Sequence, residues 1–547
     1  MSYNVHHEKL ADAVNLSHHL SDLARRRQPS SLKALQKYMA IMPPGTIQLA
    51  GGMPDPSYFP FATIGGDSMV HDSFSISPPE KPTLASWFWN LFGVSKDKTE
   101  PLTIPRFPEH PGDVSLAESL QYGPAVGVAG LQKFLEDFTR TAFPPAYKNW
   151  KVLVDVGSTE GWFRCLQTFC NPGELIITEE WTYAAIISQS APYQVKAVPV
   201  AMDSEGMSAV ALEELLANWD ETARGAKRPH VLYTVPIGQN PCGMTTGIQR
   251  KKEIYDICVK YDVIICEDDP YYFLQEGVYK HKSERQTSSK PTVSTDKYLQ
   301  SLHQSYLTVD YQGRVVRMDT FSKTVAPGSR MGWLTCNAVF AERLERHAES
   351  SVQRPSGFAQ ALVAQLLVKQ WGMDNWVRWL HGLQVQYTAR RDAVVDALLD
   401  GFNHTYGYSD ASYVVQGLPL YTCFAHPKLA RKIAGGKQIG RLCSFHPPSS
   451  GMFVWVTVYF GALPPAVPDP EAPEEPYEHE QRLWVRMIKA GVMVAPGSFF
   501  ASSPEVPRAD EGHYRIAFSM GPHDGLRKGM EIFSKELHGY FEDALKA

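Results

Sequence analysis

The sequence predicts an α/β protein whose largest part is a mostly parallel sheet covered by helices. Three observations point there. From Gln121 onward, short apolar runs alternate with longer helical stretches, the pattern of strand–helix units. The runs are apolar almost throughout, as expected of strands buried on both faces. Several end in clusters of Gly, Ser, Asn, Asp and Pro, and an open α/β sheet binds its ligand outside such strand ends. At 547 residues, 44% hydrophobic and 20% charged, the chain can form two or three domains with cores of their own.

Residues 1–45 read as an arm with one helix, about Val14 to Arg27. Its Arg25-Arg26-Arg27 triplet suits a helix end, where cations complement the dipole, and is a weak nucleic-acid signal. Leu49-Ala-Gly-Gly-Met-Pro-Asp-Pro56 is a short strand breaking into glycine and proline, either a turn or a close backbone approach to a ligand. Residues 70–113 read as an insertion around Trp87, Phe88, Trp89 and Phe92, whose rings cover the body or a partner subunit.

Strands are expected at Lys151–Val156, Leu175–Thr178, Val195–Val200, Val231–Val235, Val263–Cys266 and around Val315–Met318. Residues 280–305 hold almost no core residues and read as a surface insertion. Beyond Trp333 come helices at about Ala338–Ser350, Gly357–Trp371 and Asn375–Leu399, the last long enough to join two domains. A smaller α/β part follows, with strands at Gly451–Val458, Val492–Ala495 and Tyr514–Ser519 and a Pro/Glu-rich loop at Pro464–Pro476.

Composition narrows the function. A net charge of −5 with both signs interspersed gives no electrostatic case for nucleic acid or membrane. No apolar run approaches the roughly 20 residues that span a bilayer. The polar start, with Glu8, Asp12 and Asp22, predicts neither a secretory leader nor a transit peptide. Eight cysteines without a Cys-x-x-Cys pair suit free thiols in a reducing compartment, so the cytoplasm is expected.

The chemistry concentrates in Arg317-Met-Asp-Thr-Phe-Ser-Lys323-Thr-Val-Ala-Pro-Gly-Ser-Arg330. A lysine at a strand end can form a Schiff base with an aldehyde, while Thr320, Ser322 and Arg330 can hold a phosphate. Gly157-Ser158-Thr159 opens a helix, where amides and hydroxyls favour an anion. Asn240-Pro follows another strand and is either a turn former or a donor to a phenolate-like oxygen. Asp269-Pro-Tyr-Tyr272 is either a strand terminator or a carboxylate for a protonated pyridine nitrogen beside a tyrosine hydroxyl.

Taken in order, these residues resemble the class I/II aminotransferases, pyridoxal-phosphate enzymes of fold type I. The resemblance runs over nearly the whole chain, through Gly-Gly-Met-Pro-Asp-Pro, Leu120-Gln-Tyr-Gly-Pro, Glu-Asp-Asp-Pro-Tyr-Tyr-Phe-Leu-Gln275, Phe-Ser-Lys323 and Tyr-Arg515-Ile-Ala-Phe-Ser519. The wording is most similar to the fungal aromatic, kynurenine and 2-aminoadipate aminotransferases.

The resemblance implies a large domain with a mostly parallel seven-stranded sheet and a smaller α/β domain. Expected divisions are 1–60 (arm and part of the small domain), 61–120 (insertion and connection), 121–375 (large domain) and 376–547 (linking helix and small domain). It implies pyridoxal 5′-phosphate as cofactor, with Lys323 as tether and proton carrier and Asp269 on the pyridine nitrogen. Asn240 and Tyr272 would bond the phenolic oxygen, and Tyr183 would stack on the ring. Ser158, Thr159, Thr320, Ser322 and Arg330 would hold the phosphate. Arg515 would grip the substrate carboxylate, with Gly52 and Asn240 on the substrate side. Tyr122 would reach the neighbouring subunit's cofactor, which requires a homodimer. No metal is expected in the site.

The expected reaction is transfer of the amino group of phenylalanine, tyrosine or tryptophan to 2-oxoglutarate or an aromatic 2-oxo acid, in a ping-pong cycle. Lys33 stands where some relatives carry an arginine for acidic side chains, and an ammonium lacks that fork, which argues against 2-aminoadipate. Alternatives are kynurenine or 2-aminoadipate transamination, a lyase or decarboxylase on the same site, and an aminotransferase-like transcription regulator.

Overall fold

The computed structural model describes residues 10–29, 52–76, 98–285, 295–408, 419–433, 440–466, 478–506 and 510–546, with isolated positions at 38, 41–47, 49 and 417. Lys33, the aromatic group at 87–92 and most of the Pro/Glu-rich loop lie outside the described residues.

A hairpin, β1 (Thr63–Met69) with β2 (Thr99–Pro105), precedes the main sheet. That sheet has seven strands: β3 (Trp150–Asp155), β4 (Leu175–Glu179), β5 (Lys196–Val200) and, after the short ribbon of β6 (Met202–Asp203) and β7 (Gly206–Met207), β8 (Val231–Thr234), β9 (Ile264–Asp268), β10 (Val315–Thr320) and β11 (Gly332–Asn337). Their spatial order is β3-β11-β10-β9-β8-β4-β5. Six strands run parallel, and β11 runs against both neighbours. The apolar runs predicted six of the seven. β11 was not among them, because Gly-Trp-Leu-Thr-Cys-Asn leads directly into the helix Ala338–Glu349 and carries no turn signal at its end.

Helices cover both faces of the sheet, and the core divides accordingly. On one face Leu153, Cys266, Val316, Met318 and Leu334 pack under the helix Ser158–Phe169. On the other, Val152, Ile265, Val315 and Trp333 pack against Phe138, Trp376 and Leu380. Within a strand the side chains alternate between these two cores, as the pleat requires.

The helix Gly372–Asp400 links this body to a second, antiparallel sheet ordered β12-β13-β14-β15-β17-β16. Its strands are β12 (Asn403–Tyr408), β13 (Pro419–Phe424), β14 (Arg441–Phe445), β15 (Phe453–Tyr459), β16 (Ala495–Pro496) and β17 (Glu511–Ala517). Three of them, β12 to β14, escape the sequence pattern. The exposed β12 (Asn-His-Thr-Tyr-Gly-Tyr) has no apolar face to read.

Two expectations need correction. Among the described residues the arm forms a single turn, Ser17–His19, and a short helix, Asp22–Arg26, in place of one continuous helix, and it buries Leu16, Leu20 and Ala24. Ser21 N donates to Thr168 O at 2.8 Å and Val14 N to Gln312 O at 3.0 Å. The segment beyond 294 is also more than a surface insertion, since Tyr298, Leu302, Tyr306 and Leu307 are buried.

Candidate active site

The carboxyl ends of the parallel strands and one edge of the small sheet converge on one site. β10 ends at Thr320 and turns through Phe321–Lys323, with Thr320 Oγ1 accepting from Ser322 N at 3.1 Å. The chain then doubles back at Arg330, a non-glycine residue at φ +46°, into β11. Arg330 Nη1 donates to Ser322 Oγ at 3.3 Å and Nη2 to Val156 O at 3.1 Å. This sets its guanidinium over the loop between β3 and the helix Ser158–Phe169. Gly157 has φ +96°, and a Cβ there would lie 3.1 Å from Arg330 Nη2 and 3.5 Å from Thr320 Oγ1. Ser158 and Thr159 form the first turn of that helix, so its free N–H groups open beside Thr320 and Arg330. The cluster is a cup for a phosphate.

Arg515, on β17, enters from the small sheet. Its Nη1 donates to Asn240 Oδ1 at 2.7 Å, and its guanidinium carbon lies 4.4 Å from the Phe453 ring centroid and 4.5 Å from that of Phe500. Two aromatic faces and an amide hold the fork in place. Burial lowers the Arg515 pKa, opposed by Tyr271 and Tyr183. Lys323 is held below its ordinary pKa by burial first, then by the positive charges of Arg515 and Arg330. It makes no hydrogen bond or ion pair among the described residues.

Asp269 and Tyr272, expected at this site, face away from it. Asp269 Oδ2 accepts from Arg317 Nη1 at 2.7 Å. Tyr272 packs with Phe143 on the opposite face of the sheet, its ring centroid 4.5 Å from the Arg317 guanidinium carbon. The residues that reach the site are their neighbours, Asp268 and Tyr271. The physical reason is the two-residue period of the strand: Glu267 and Asp269 share the Arg317 face, so Asp268 takes the other.

Asp268 Oδ2 accepts from Tyr233 Oη at 2.6 Å. Burial raises the Asp268 carboxyl to about 6, and Tyr233, the Ser158 hydroxyl and Arg317 oppose that rise. Ser158 acts there without meeting hydrogen-bond geometry. Burial also pushes the Tyr271 hydroxyl up, with Arg515 and the Asn240 amide opposing. Tyr183 caps the helix Ala184–Ser190 and is electrostatically coupled to Tyr271, Tyr233 and Arg515.

Two other expected residues are exposed in the single chain. Gly52 is exposed, with nothing within 4 Å of a Cβ built on it, and Tyr122 is 66% exposed. Tyr58 is 84% exposed, whereas Trp162 lies in the core against Tyr233.

The model of the aminotransferase class I and II family matches residues 115–533. The chain belongs to the class I and II aminotransferases. It is 31% identical over 532 residues to an aromatic amino acid aminotransferase of Schizosaccharomyces pombe, covering 97% of this chain and 99% of that one. It is equally 31% identical to an L-tyrosine:2-oxoglutarate aminotransferase of Tapinella panuoides, with 96% of each covered. The crystal structure of the aminotransferase Aro8 from Candida albicans superposes with a TM-score of 0.79 at 34% identity, over 97% of this chain and 100% of that one.

The aminotransferase's cofactor is pyridoxal 5′-phosphate, and the donor set fits it. Among the described residues, three buried polar atoms here lack hydrogen-bond partners: Asp268 Oδ1, Ser158 Oγ and Arg515 Nε. They are a carboxylate acceptor for a cationic ring N–H, a hydroxyl for a phosphate and a guanidinium N–H for a carboxylate. Sequence reasoning missed Asp268 and Tyr271 by one position. The buried Arg317 and Asp319, two apart on β10, were the available signal, since a buried arginine requires acids on its own face.

Proposed function

We propose that this aminotransferase acts on aromatic L-amino acids with a 2-oxo acid as acceptor, as a homodimer in the cytoplasm. The observation that carries the reading is the convergence of Lys323, Arg330 and Arg515, three basic groups without carboxylate partners among the described residues. The bound cofactor supplies an aldehyde carbon and a ring that accepts electrons.

The chain supplies everything around it. Gly157, Ser158, Thr159, Thr320, Ser322 and Arg330 bind the phosphate. Asp268, its Oδ2 held by Tyr233, keeps the proton on the ring nitrogen. Asn240 and Tyr271 donate to the phenolic oxygen. Arg515 binds the substrate carboxylate as a fork and thereby orients the bond to the α-hydrogen. Lys323 Nζ, whose protonated form is disfavoured by burial and two nearby cations, would take the proton from the substrate α-carbon. Phe453 and Phe500, packed against Arg515, put flat apolar faces beside the carboxylate fork, which suits an aromatic side chain. The names of the relatives support the same substrate class. Tyr122, exposed in the single chain, is free to complete a partner's site.

The test is a half-reaction screen without acceptor, using phenylalanine, tyrosine, tryptophan, kynurenine and 2-aminoadipate. The aromatic trio should each yield one equivalent of 2-oxo acid per site, faster than the others. Release of ammonia or carbon dioxide in place of the oxo acid overturns transamination, and a clear preference for 2-aminoadipate overturns the aromatic class.

A further inference from the structure

A second cluster of chemistry-bearing side chains lies where the arm meets the large body, outside the active site. His18 and His19 sit on the Ser17–His19 turn. Asp262 stands at φ +58° in the turn between the helix Ile248–Lys260 and β9. His18 Nε2 is 2.7 Å from Asp262 Oδ2, and His19 Nε2 is 3.1 Å from Oδ1. One donor atom from each of the three residues lies within 4.8 Å of the others. Behind them, His19 Nδ1 faces His230 Nδ1 at 2.9 Å, and His230 Nε2 reaches Glu174 Oε2 at 3.5 Å, the outer edge of hydrogen bonding.

Counting protons shows what this line lacks. From Glu174 through His230 and His19 to Asp262 there are three contacts, each needing one proton between its two heavy atoms. Two neutral imidazoles bring two protons. Burial works against the Glu174 charge, yet His230 and Asn171 hold its pKa at about 2, so no proton comes from that carboxyl. With two imidazole protons for three contacts, the line is one short.

We propose that a divalent transition metal of the zinc class binds His18 Nε2, His19 Nε2 and Asp262 Oδ2. The metal replaces the missing proton. His19 Nδ1–H then donates to His230 Nδ1, and His230 Nε2–H to Glu174, so both imidazoles are neutral and satisfied. Two histidines and one carboxylate with an open fourth position are a common zinc set, and a histidine ligand backed by a second acceptor is its usual support. Arg314 Nη1 donates to Asp262 Oδ1 at 2.8 Å, which leaves Oδ2 as the ligand oxygen and tempers the affinity with a nearby positive charge. The His18 side chain is 55% exposed, which gives the ion and a water ligand access. The bound metal pins the arm to the β8 and β9 side of the body.

The test uses untagged holoenzyme stripped with a chelator, dialysed and titrated with Co2+, read by visible absorbance and displaced with Zn2+. One Co2+ per chain with tetrahedral-type absorbance is expected, released by one equivalent of Zn2+. His18→Ala and Asp262→Asn should abolish the signal, and His230→Ala should weaken binding by about 10–100-fold. His18→Ala, at an exposed site far from the cofactor, should leave transamination unchanged. The chain has 18 histidines, so adventitious binding is the rival. Metal retained in both His18→Ala and Asp262→Asn overturns the proposal. So does the absence of Co2+ absorbance in the wild type, which would mean the line is completed by a proton.

Discussion

Arg317 and Lys323 stand six residues apart on the same strand and loop, and their surroundings are opposite. The Arg317 guanidinium is wholly buried and has three carboxylates, Asp269 at 2.7 Å, Asp319 at 2.8 Å and Glu267 at 3.3 Å, with Phe143 and Tyr272 against its faces. Lys251, also buried, faces Glu267 at 4.0 Å. Lys323, Arg330 and Arg515 have no carboxylate within ion-pair distance among the described residues. The first group is compensated internally and holds the sheet together, whereas the second is left open to the anions of a ligand. Buried charge alone does not mark an active site; charge left without a counterpart does.

The largest expected effect comes from removing the cation that no conservative group replaces. Lys323→Ala should lower turnover by at least about 10²–10⁴-fold, the range for loss of a positioned proton carrier, with the unfolding midpoint of the cofactor-free protein unchanged. A borohydride-reducible lysine adduct persisting in that variant would show that another residue holds the cofactor.

The sharpest contrast compares adjacent aspartates. Asp268→Asn should cost activity through weaker cofactor retention and slower turnover, with stability close to wild type. Asp269→Ala should do the reverse, lowering stability by about 3–5 kcal/mol in denaturant unfolding because Arg317 loses a buried partner. If Asp269→Ala were the variant that lost turnover at full stability, the two faces of β9 would have to be exchanged.

The smallest effect belongs to the fork. Arg515→Lys keeps the charge but loses the paired N–H groups, so kcat/KM for the amino acid should fall by about 10–100-fold, a cost of 1.5–3 kcal/mol for charged hydrogen bonds. Simple amines that lack a carboxylate should be unaffected by the change. A loss of equal size with such amines would mean that Arg515 acts on folding rather than on the substrate.

How much of this was legible depended on whether the signal was local. Lys323, Arg330, Asn240 and Ser158 were readable because each sits in a short polar cluster beside an apolar run, whereas Arg515, inside β17, was reached through the family resemblance. Asp268 was not, because choosing between two adjacent aspartates depends on which face of the sheet each takes, and pairing with Arg317 across strands settles that. β11 was hidden for a related reason: it is antiparallel, buried along its whole length and continuous with the next helix. β12 is exposed along its whole length, and the docking of the arm depends on contacts more than 100 residues away in sequence, such as Ala13 N on Asn149 Oδ1 at 2.8 Å, which no local pattern records.

The antiparallel β11 has a further consequence. Thr320 pairs with Gly332 at the end of the β10–β11 ladder, and Phe321 N donates to Met331 O at 3.0 Å. Residues 321–331 are therefore a closed loop with two buried posts, Phe321 and Met331, at its base. Lys323 and Arg330 both ride on it. Backbone pairing, rather than two independent side chains, sets the separation between the Lys323 amine and the Arg330 guanidinium. On the proposed roles of these two groups, the loop is a gauge of the distance between an aldehyde and a phosphate.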